Sequence, residues 1–216
     1  MEKYFREPLN GLTHLIGAVL SLIGLIALIA KAVLIKSPPT TIISVIVFGV
    51  SMILLYTAST TYHSVISTDK VIYRLKKLDH SMIFVLITGS YAPFCLIALN
   101  NKAGFILFAA VAISAVLGIT FKLFWVTCPK WISSVMYIAV GWFAIFAIYP
   151  LSKVLAPMAL FLLVLGGIMY TIGGVIYAFK DDKFKIGAFG THEIFHVFIL
   201  LGTLCHFIAV FAYVLQ

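Results

Sequence analysis

Seven separate runs of this chain are apolar and long enough to cross a bilayer, and that repetition commits it to a bundle of membrane-spanning helices. A hydrocarbon core of ~30 Å takes about 20 residues at 1.5 Å each. The runs lie at residues 12–34, 40–66, 80–99, 104–124, 132–150, 156–179 and 190–214. Between them stand short breaks rich in turn formers or charge: "KSPPT" at 36–40, "NNKAG" at 100–104, "TCPK" at 127–130, "YPLSK" at 149–153 and "KDDKFK" at 180–185. With 63% hydrophobic and 10% charged residues, and a mean hydropathy of +1.16, the chain stands well above the apolar usage of soluble domains. No soluble domain fits between the runs. The expected fold is therefore an all-α membrane protein, one seven-helix transmembrane domain over residues 1–216.

The first run follows a polar start, "MEKYFREPLN", without a small-residue cleavage site, so it reads as a retained helix and not a removable signal. Cys95, Cys128 and Cys205 form no CxxC pair and fall in or beside different runs. They give neither a disulfide framework nor a thiolate metal site, and read as small apolar packing residues.

A net charge of +8 would suggest nucleic acid in a soluble protein; here lysine and arginine are read loop by loop. Lys3, Arg6, Lys70, Arg74, Lys76, Lys77, Lys122, Lys130, Lys180, Lys183 and Lys185 fall on one side, eleven of the fifteen basic residues. Lys31, Lys36, Lys102 and Lys153 fall on the other. The positive-inside rule then places the amino terminus in the cytoplasm and, after seven crossings, Gln216 outside. That orientation argues against a rhodopsin-like receptor. No matched pair of interrupted segments announces an inverted-repeat transporter.

With orientation set, polar residues in different spans can be compared by depth. Ser59 and His63 lie in the last turns of the second span, in "STTYH"; Asp79 is expected in the first turn of the third, in "KKLDHSMIF"; His192 and His196 open the seventh, in "THEIFH". All five fall in the cytoplasmic third. Two histidines four residues apart sit about 40° around a helix and ~6 Å along it, so both imidazoles reach one ion. With His63 they form a set of three neutral ligands that leaves a fourth tetrahedral position open, the pattern of a catalytic zinc. A bare carboxylate in a membrane is costly, whereas a dication held by neutral ligands favours it, so Asp79 is the natural acceptor for a proton from zinc-bound water. One intramembrane histidine alone is more simply a packing residue with a hydrogen bond. Convergence of five polar groups from three spans outweighs that reading.

His80 points about 100° away from Asp79 and reads as interfacial packing or a contact behind the ligands, and His14 reads first as packing, with such a contact as the alternative. His206, ~15 Å along the helix from His196, is assigned to packing too. Paired glycines at 166–167 and 173–174 suit close helix contact, and Pro93 is expected to kink the third span. "HEIFH" also matches the H-E-x-x-H pattern of metalloproteases, with Glu193 as base. After His196, however, the sequence offers no carboxylate to serve as the acidic third ligand. Glu193 reads instead as an interfacial residue at a helix start, where the dipole favours negative charge.

Taken together, Ser59 and His63 in S-x-x-x-H, Asp79 in "LDHSMIF", His192 and His196 in H-x-x-x-H, and the opening "EPLNGLTHLIG" (Glu7, Asn10, Thr13, His14, Gly17) resemble the hemolysin III-like branch of the progestin and adipoQ receptor family. The resemblance spans essentially the whole chain. It implies seven helices with the amino terminus inside, and zinc on His63, His192 and His196 with Ser59 and Asp79 beside its water. Animal relatives are receptors with ceramide-hydrolysing activity, the superfamily includes alkaline ceramidases, and bacterial relatives carry a hemolysin label and a link to membrane homeostasis. The chain lacks the long amino-terminal extension of the animal receptors. The leading expectation is a zinc-dependent hydrolase of an amide or ester in a lipid-like substrate, multi-pass in a bacterial plasma membrane, with the bilayer and no nucleic acid as partner. Its rival is a non-catalytic sensor of membrane state with a structural zinc. A pore-forming hemolysin, which would connect with cytolysis, finds no repeated polar stripe to line a channel, and an intramembrane protease ranks below it.

Overall fold

In the computed structural model, which describes residues 5–179 and 184–216, the protein is an all-helical bundle. Lys3, Lys180 and Lys183, used in the charge count above, lie outside the described residues. Seven helical stretches are long and apolar enough to cross a membrane, as expected.

The first two are α1 (Pro8–Leu34) and α2 (Pro39–Ser64), each with proline in its opening turn, where a missing N–H costs no hydrogen bond. The third is α3 (Asp69–Pro93), which continues through a π-helical turn over Phe94–Leu99. Pro93 lacks an N–H, and the α pattern gives way directly after it. Asn100, at φ 42°, closes the span in the left-handed region that asparagine tolerates. Next, α4 (Lys102–Phe124) is capped by Asn101, whose side chain accepts from the Gly104 N–H at 3.0 Å. The fifth span joins α5 (Lys130–Gly141), a 3₁₀ segment over Trp142–Ala147 and α6 (Ile148–Val154). α7 (Pro157–Ala178) forms the sixth, and α8 (Thr191–Ala209) with a π-helical end over Val210–Val214 forms the seventh.

Two boundaries differ from the sequence reading, each for a physical reason. α3 begins at Asp69 and not near 80, so Asp79 lies well inside the helix and not in its first turn. Charges at Asp69, Lys70, Arg74, Lys76 and Lys77 end the hydropathic run, yet a helix needs only one sheltered face. Ile72, Leu75 and Asp79 supply it, at i, i+3 and i+7. "YPLSK" is likewise no loop but most of α6, because Pro150 falls in a first turn.

The helices pack in a closed circuit: α1 on α2, α2 on α3, α3 on α4, both α3 and α4 on α5, α5 on α7, α7 on α8, and α8 back on α1. Leu28, Phe48, Met52, Tyr56 and Phe84 fill the interior, while Leu20, Leu117 and Phe146 are among many large apolar side chains facing outward. A bundle whose rim is as apolar as its core is a bundle built for lipid. The circuit also gathers the start of α1, the end of α2 and the start of α8 at one end.

Candidate metal centre

At that end the chain entering α1 is strapped to the end of α2. Glu7 N–H donates to the His63 carbonyl at 2.9 Å, and Arg6 caps the Tyr62 carbonyl with its guanidinium while lying 4.2 Å over the Tyr62 ring. Gly11 permits the approach, since a Cβ there would collide with the Ser64 hydroxyl. Gly17 does the same against Leu200 and Tyr56.

The strap sets the histidines. Glu7 accepts from His63 Nδ1 at 2.5 Å and from Asn10 Nδ2 at 3.3 Å. Burial pushes the Glu7 carboxyl up, but the His63 hydrogen bond and nearby positive charge, that of Arg6 included, hold it below its ordinary value. A carboxylate only accepts, so in the neutral His63 ring Nδ1 carries the proton and the Nε2 lone pair faces inward. Thr13 acts likewise on His196. Its hydroxyl proton goes to the Asn10 carbonyl at 2.9 Å, so at 3.1 Å it accepts from His196 Nδ1–H and again leaves Nε2 as the free acceptor. Fixing the tautomer from behind is how proteins prepare metal-binding histidines.

One ligand nitrogen from each of His63, His192 and His196 lies within 4.8 Å of the others. His63 Nε2 and His192 Nε2 are 3.3 Å apart, and two nitrogens each about 2.05 Å from one tetrahedral zinc lie ~3.3 Å apart. Beside them Ser59 is buried, and its hydroxyl has no partner. The donor set and the orphaned hydroxyl thus fit a small, borderline-soft cation with room for an oxygen ligand.

Ser59, Asp79, His192 and His196 share the wall of a cavity of about 380 Å³, with His14 completing its polar end. His63 is not in that wall and meets the others through Nε2. Further in, the wall turns apolar, with Ile83, Leu86, Phe94 and Leu163 among its residues. All five residues singled out in the sequence therefore gather at one end of the bundle.

Glu7 and Thr13 entered the sequence reading only through the family motif, because their partners are far along the chain and no spacing signals them. His14 does more than fill space: its ring stacks on His196 with centroids 3.5 Å apart, and neither nitrogen has a partner. His80 borders the cavity too, and its carbonyl accepts from the Tyr137 hydroxyl at 3.1 Å. Glu193 accepts from the Gly190 N–H at 2.9 Å, closing the start of α8. That contact spends it as a cap, in keeping with the interfacial role expected for it.

Cys128 is buried, as expected of a packing residue, but its partner Lys122 departs from expectation. Lys122 is fully buried, not a loop charge, and donates to the Ser133 hydroxyl and to Cys128 Sγ at 3.2 Å. A lysine that ends a helix reads as solvated from sequence; only packing shows it turned inward.

A family model described as Haemolysin-III related matches residues 2–207. Hemolysin-3 of Bacillus cereus is 39% identical over 216 residues, covering 100% of this chain and 95% of the relative. A Hemolysin-3 homolog of Bacillus subtilis (strain 168) is 40% identical over 207 residues, covering 96% and 93%. The ADIPOR-like receptor IZH2 of Saccharomyces cerevisiae is 33% identical over 63 residues, 27% of this chain and 20% of the yeast protein.

Proposed function

The chain belongs to the haemolysin-III related family of multi-pass membrane proteins, and from that premise we propose that it is a zinc-dependent hydrolase of an amide or ester in a membrane lipid. The carrying observation is the convergence of three imidazoles, two with their tautomers fixed from behind, at the polar end of an otherwise apolar cavity. A structural zinc site is closed by four protein ligands. Here three imidazoles converge, and Ser59 and Asp79 border the same cavity as His192 and His196.

His63, His192 and His196 would hold the ion. Zinc in such a site supplies Lewis acidity toward a carbonyl and toward water. The protein's own groups do the rest. Glu7 and Thr13 keep the His63 and His196 rings from turning, so that their Nε2 atoms stay aimed at the common point. Asp79 accepts the proton released as water attacks, and later returns it to the departing nitrogen or oxygen. Ser59, with its hydroxyl unspent, orients the attacking water. The apolar wall beyond holds the acyl chain, excludes bulk water and so strengthens each polar contact at the reacting end.

The proposal extends to placement. The excess of lysine and arginine on one side supports an amino terminus in the cytoplasm and residence in the bacterial plasma membrane, with the site near the inner surface.

Purified protein is incubated with bacterial lipid extract, with and without chelator, and the lipid classes are compared by mass spectrometry. The expected result is one class depleted with a matching free fatty acid, only when metal is present. Asp79→Asn should abolish turnover by ~10²–10⁴-fold while zinc stays bound. No metal-dependent change in any lipid class would sink the hydrolase reading, and full activity in Asp79→Asn would remove that residue from it.

A further inference from the structure

Some 15 Å beyond His196 along α8, at ~1.5 Å per residue, the same cavity meets a second polar group in its apolar stretch. His206 and Tyr170 border it there, from α8 and α7. Packing is too small an account of them. A Cβ on Gly166 would collide with the His206 ring, and one on Gly202 would come 2.6 Å from the Tyr170 ring, so each helix carries a glycine where the other delivers its ring. The glycine pair at 166–167, read from sequence as a helix contact, is at Gly166 a socket for an imidazole.

Counting protons settles what these groups can offer. His206 Nε2 lies 3.2 Å from the Leu163 carbonyl, which can only accept, so Nε2 carries the hydrogen and the neutral ring keeps a lone pair on Nδ1. That Nδ1 is buried and has no partner. Thr203 gives its one hydroxyl proton to the Ile199 carbonyl at 3.0 Å. It must therefore accept from both neighbours, Tyr56 at 2.6 Å and Tyr170 at 2.9 Å. With its proton spent on Thr203, Tyr170 too has only lone pairs left. Two acceptors border one apolar cavity and cannot satisfy each other, and a buried acceptor without a donor is destabilising.

We propose that His206 Nδ1 and the Tyr170 oxygen form an acceptor-only subsite for a hydroxyl carried partway along the lipid chain that fills this cavity. At ~15 Å from the histidine cluster, that hydroxyl lies roughly ten to twelve carbons from the head group, given C–C bonds of ~1.5 Å in an extended zigzag. The subsite selects a donor over an acceptor of equal size, because a ketone or ether oxygen there would add a third acceptor and no proton. This inference rests on the reading of the cavity as the seat of a lipid chain, but not on cleavage.

The test is competition against tritiated stearate bound to the full chain in nanodiscs, with stearate, 12-hydroxystearate, 12-oxostearate and 2-hydroxystearate as competitors. The 12-hydroxy acid should compete about five- to tenfold better than stearate, as the one hydrogen bond its single proton can donate, shared between the two acceptors, predicts. The 12-oxo and 2-hydroxy acids should gain nothing. In His206→Leu and in Tyr170→Phe, the second keeping every ring contact, the 12-hydroxy advantage, measured against stearate in the same variant, should shrink to about twofold or less. Should the leucine variant fail to fold, the phenylalanine variant decides. Equal competition by 12-hydroxystearate and stearate in the wild type overturns the subsite, as does an equal gain for the ketone or an advantage that survives in the folded variants. Absence of any displaceable stearate binding is a different result: it removes the lipid reading of the cavity and the subsite with it.

Discussion

Two of the buried polar clusters in the bundle end in opposite ways. Around Lys122 the atoms spend themselves on each other: Nζ reaches Cys128 Sγ and the Ser133 hydroxyl, and those two are 3.4 Å apart. None of the three borders the main cavity. Around His63 the spending stops one step short. Glu7 and Thr13 saturate the rear nitrogens of His63 and His196, three imidazoles converge, and the Ser59 hydroxyl is left without a partner. Both clusters bear the cost of burying polar groups. What separates a site from a brace is the hydrogen-bonding capacity left over, and whether it points at a shared space.

The largest effect should come from removing a converging ring. His192→Ala leaves two ligands and should weaken zinc binding roughly a thousandfold, read by chelator competition on purified protein. Metal retained at wild-type affinity would end the distinction drawn between the clusters. Next is the support behind the ring. Glu7→Ala removes the acceptor from His63 Nδ1, and an effect of about 10- to 100-fold on the same measurement is expected. Thr13→Val keeps the volume, loses the acceptor for His196 Nδ1, and should fall at or below the low end of that range, about tenfold, because a neutral hydroxyl holds less firmly than a carboxylate.

Those predictions draw on features that differ in how far the sequence discloses them. Seven spans and the His192/His196 pair are legible because each is a property of one continuous stretch: length in apolar residues, or two side chains one turn apart. Ser59 and His63 are legible for the same reason. Asp79 is found, but placed wrongly within its helix, since hydropathy registers the charges of Asp69–Lys77 and not the sheltered face running through Ile72 and Leu75. Glu7 and Thr13 come only from the family motif, because a hydrogen bond between Glu7 and His63 spans most of two helices. His206 illustrates the remaining gap. Packing was a fair reading of its position, and only the atoms around it show that one nitrogen is answered and the other is not.

Lys122 gives the smallest effect and the sharpest control. Lys122→Met keeps a flexible stem of similar length, removes a buried amine that pairs with no carboxylate among the described residues, and leaves Cys128 and Ser133 near each other. Losing two hydrogen bonds destabilises, while no longer burying a polar amine compensates, so stability should move by only about 1 kcal/mol in either direction. Zinc affinity should stay within about twofold, since none of the three converging histidines touches this cluster. A loss comparable to that of Glu7→Ala would mean that the brace and the site are coupled through the bundle. The two would then have to be treated as one polar network.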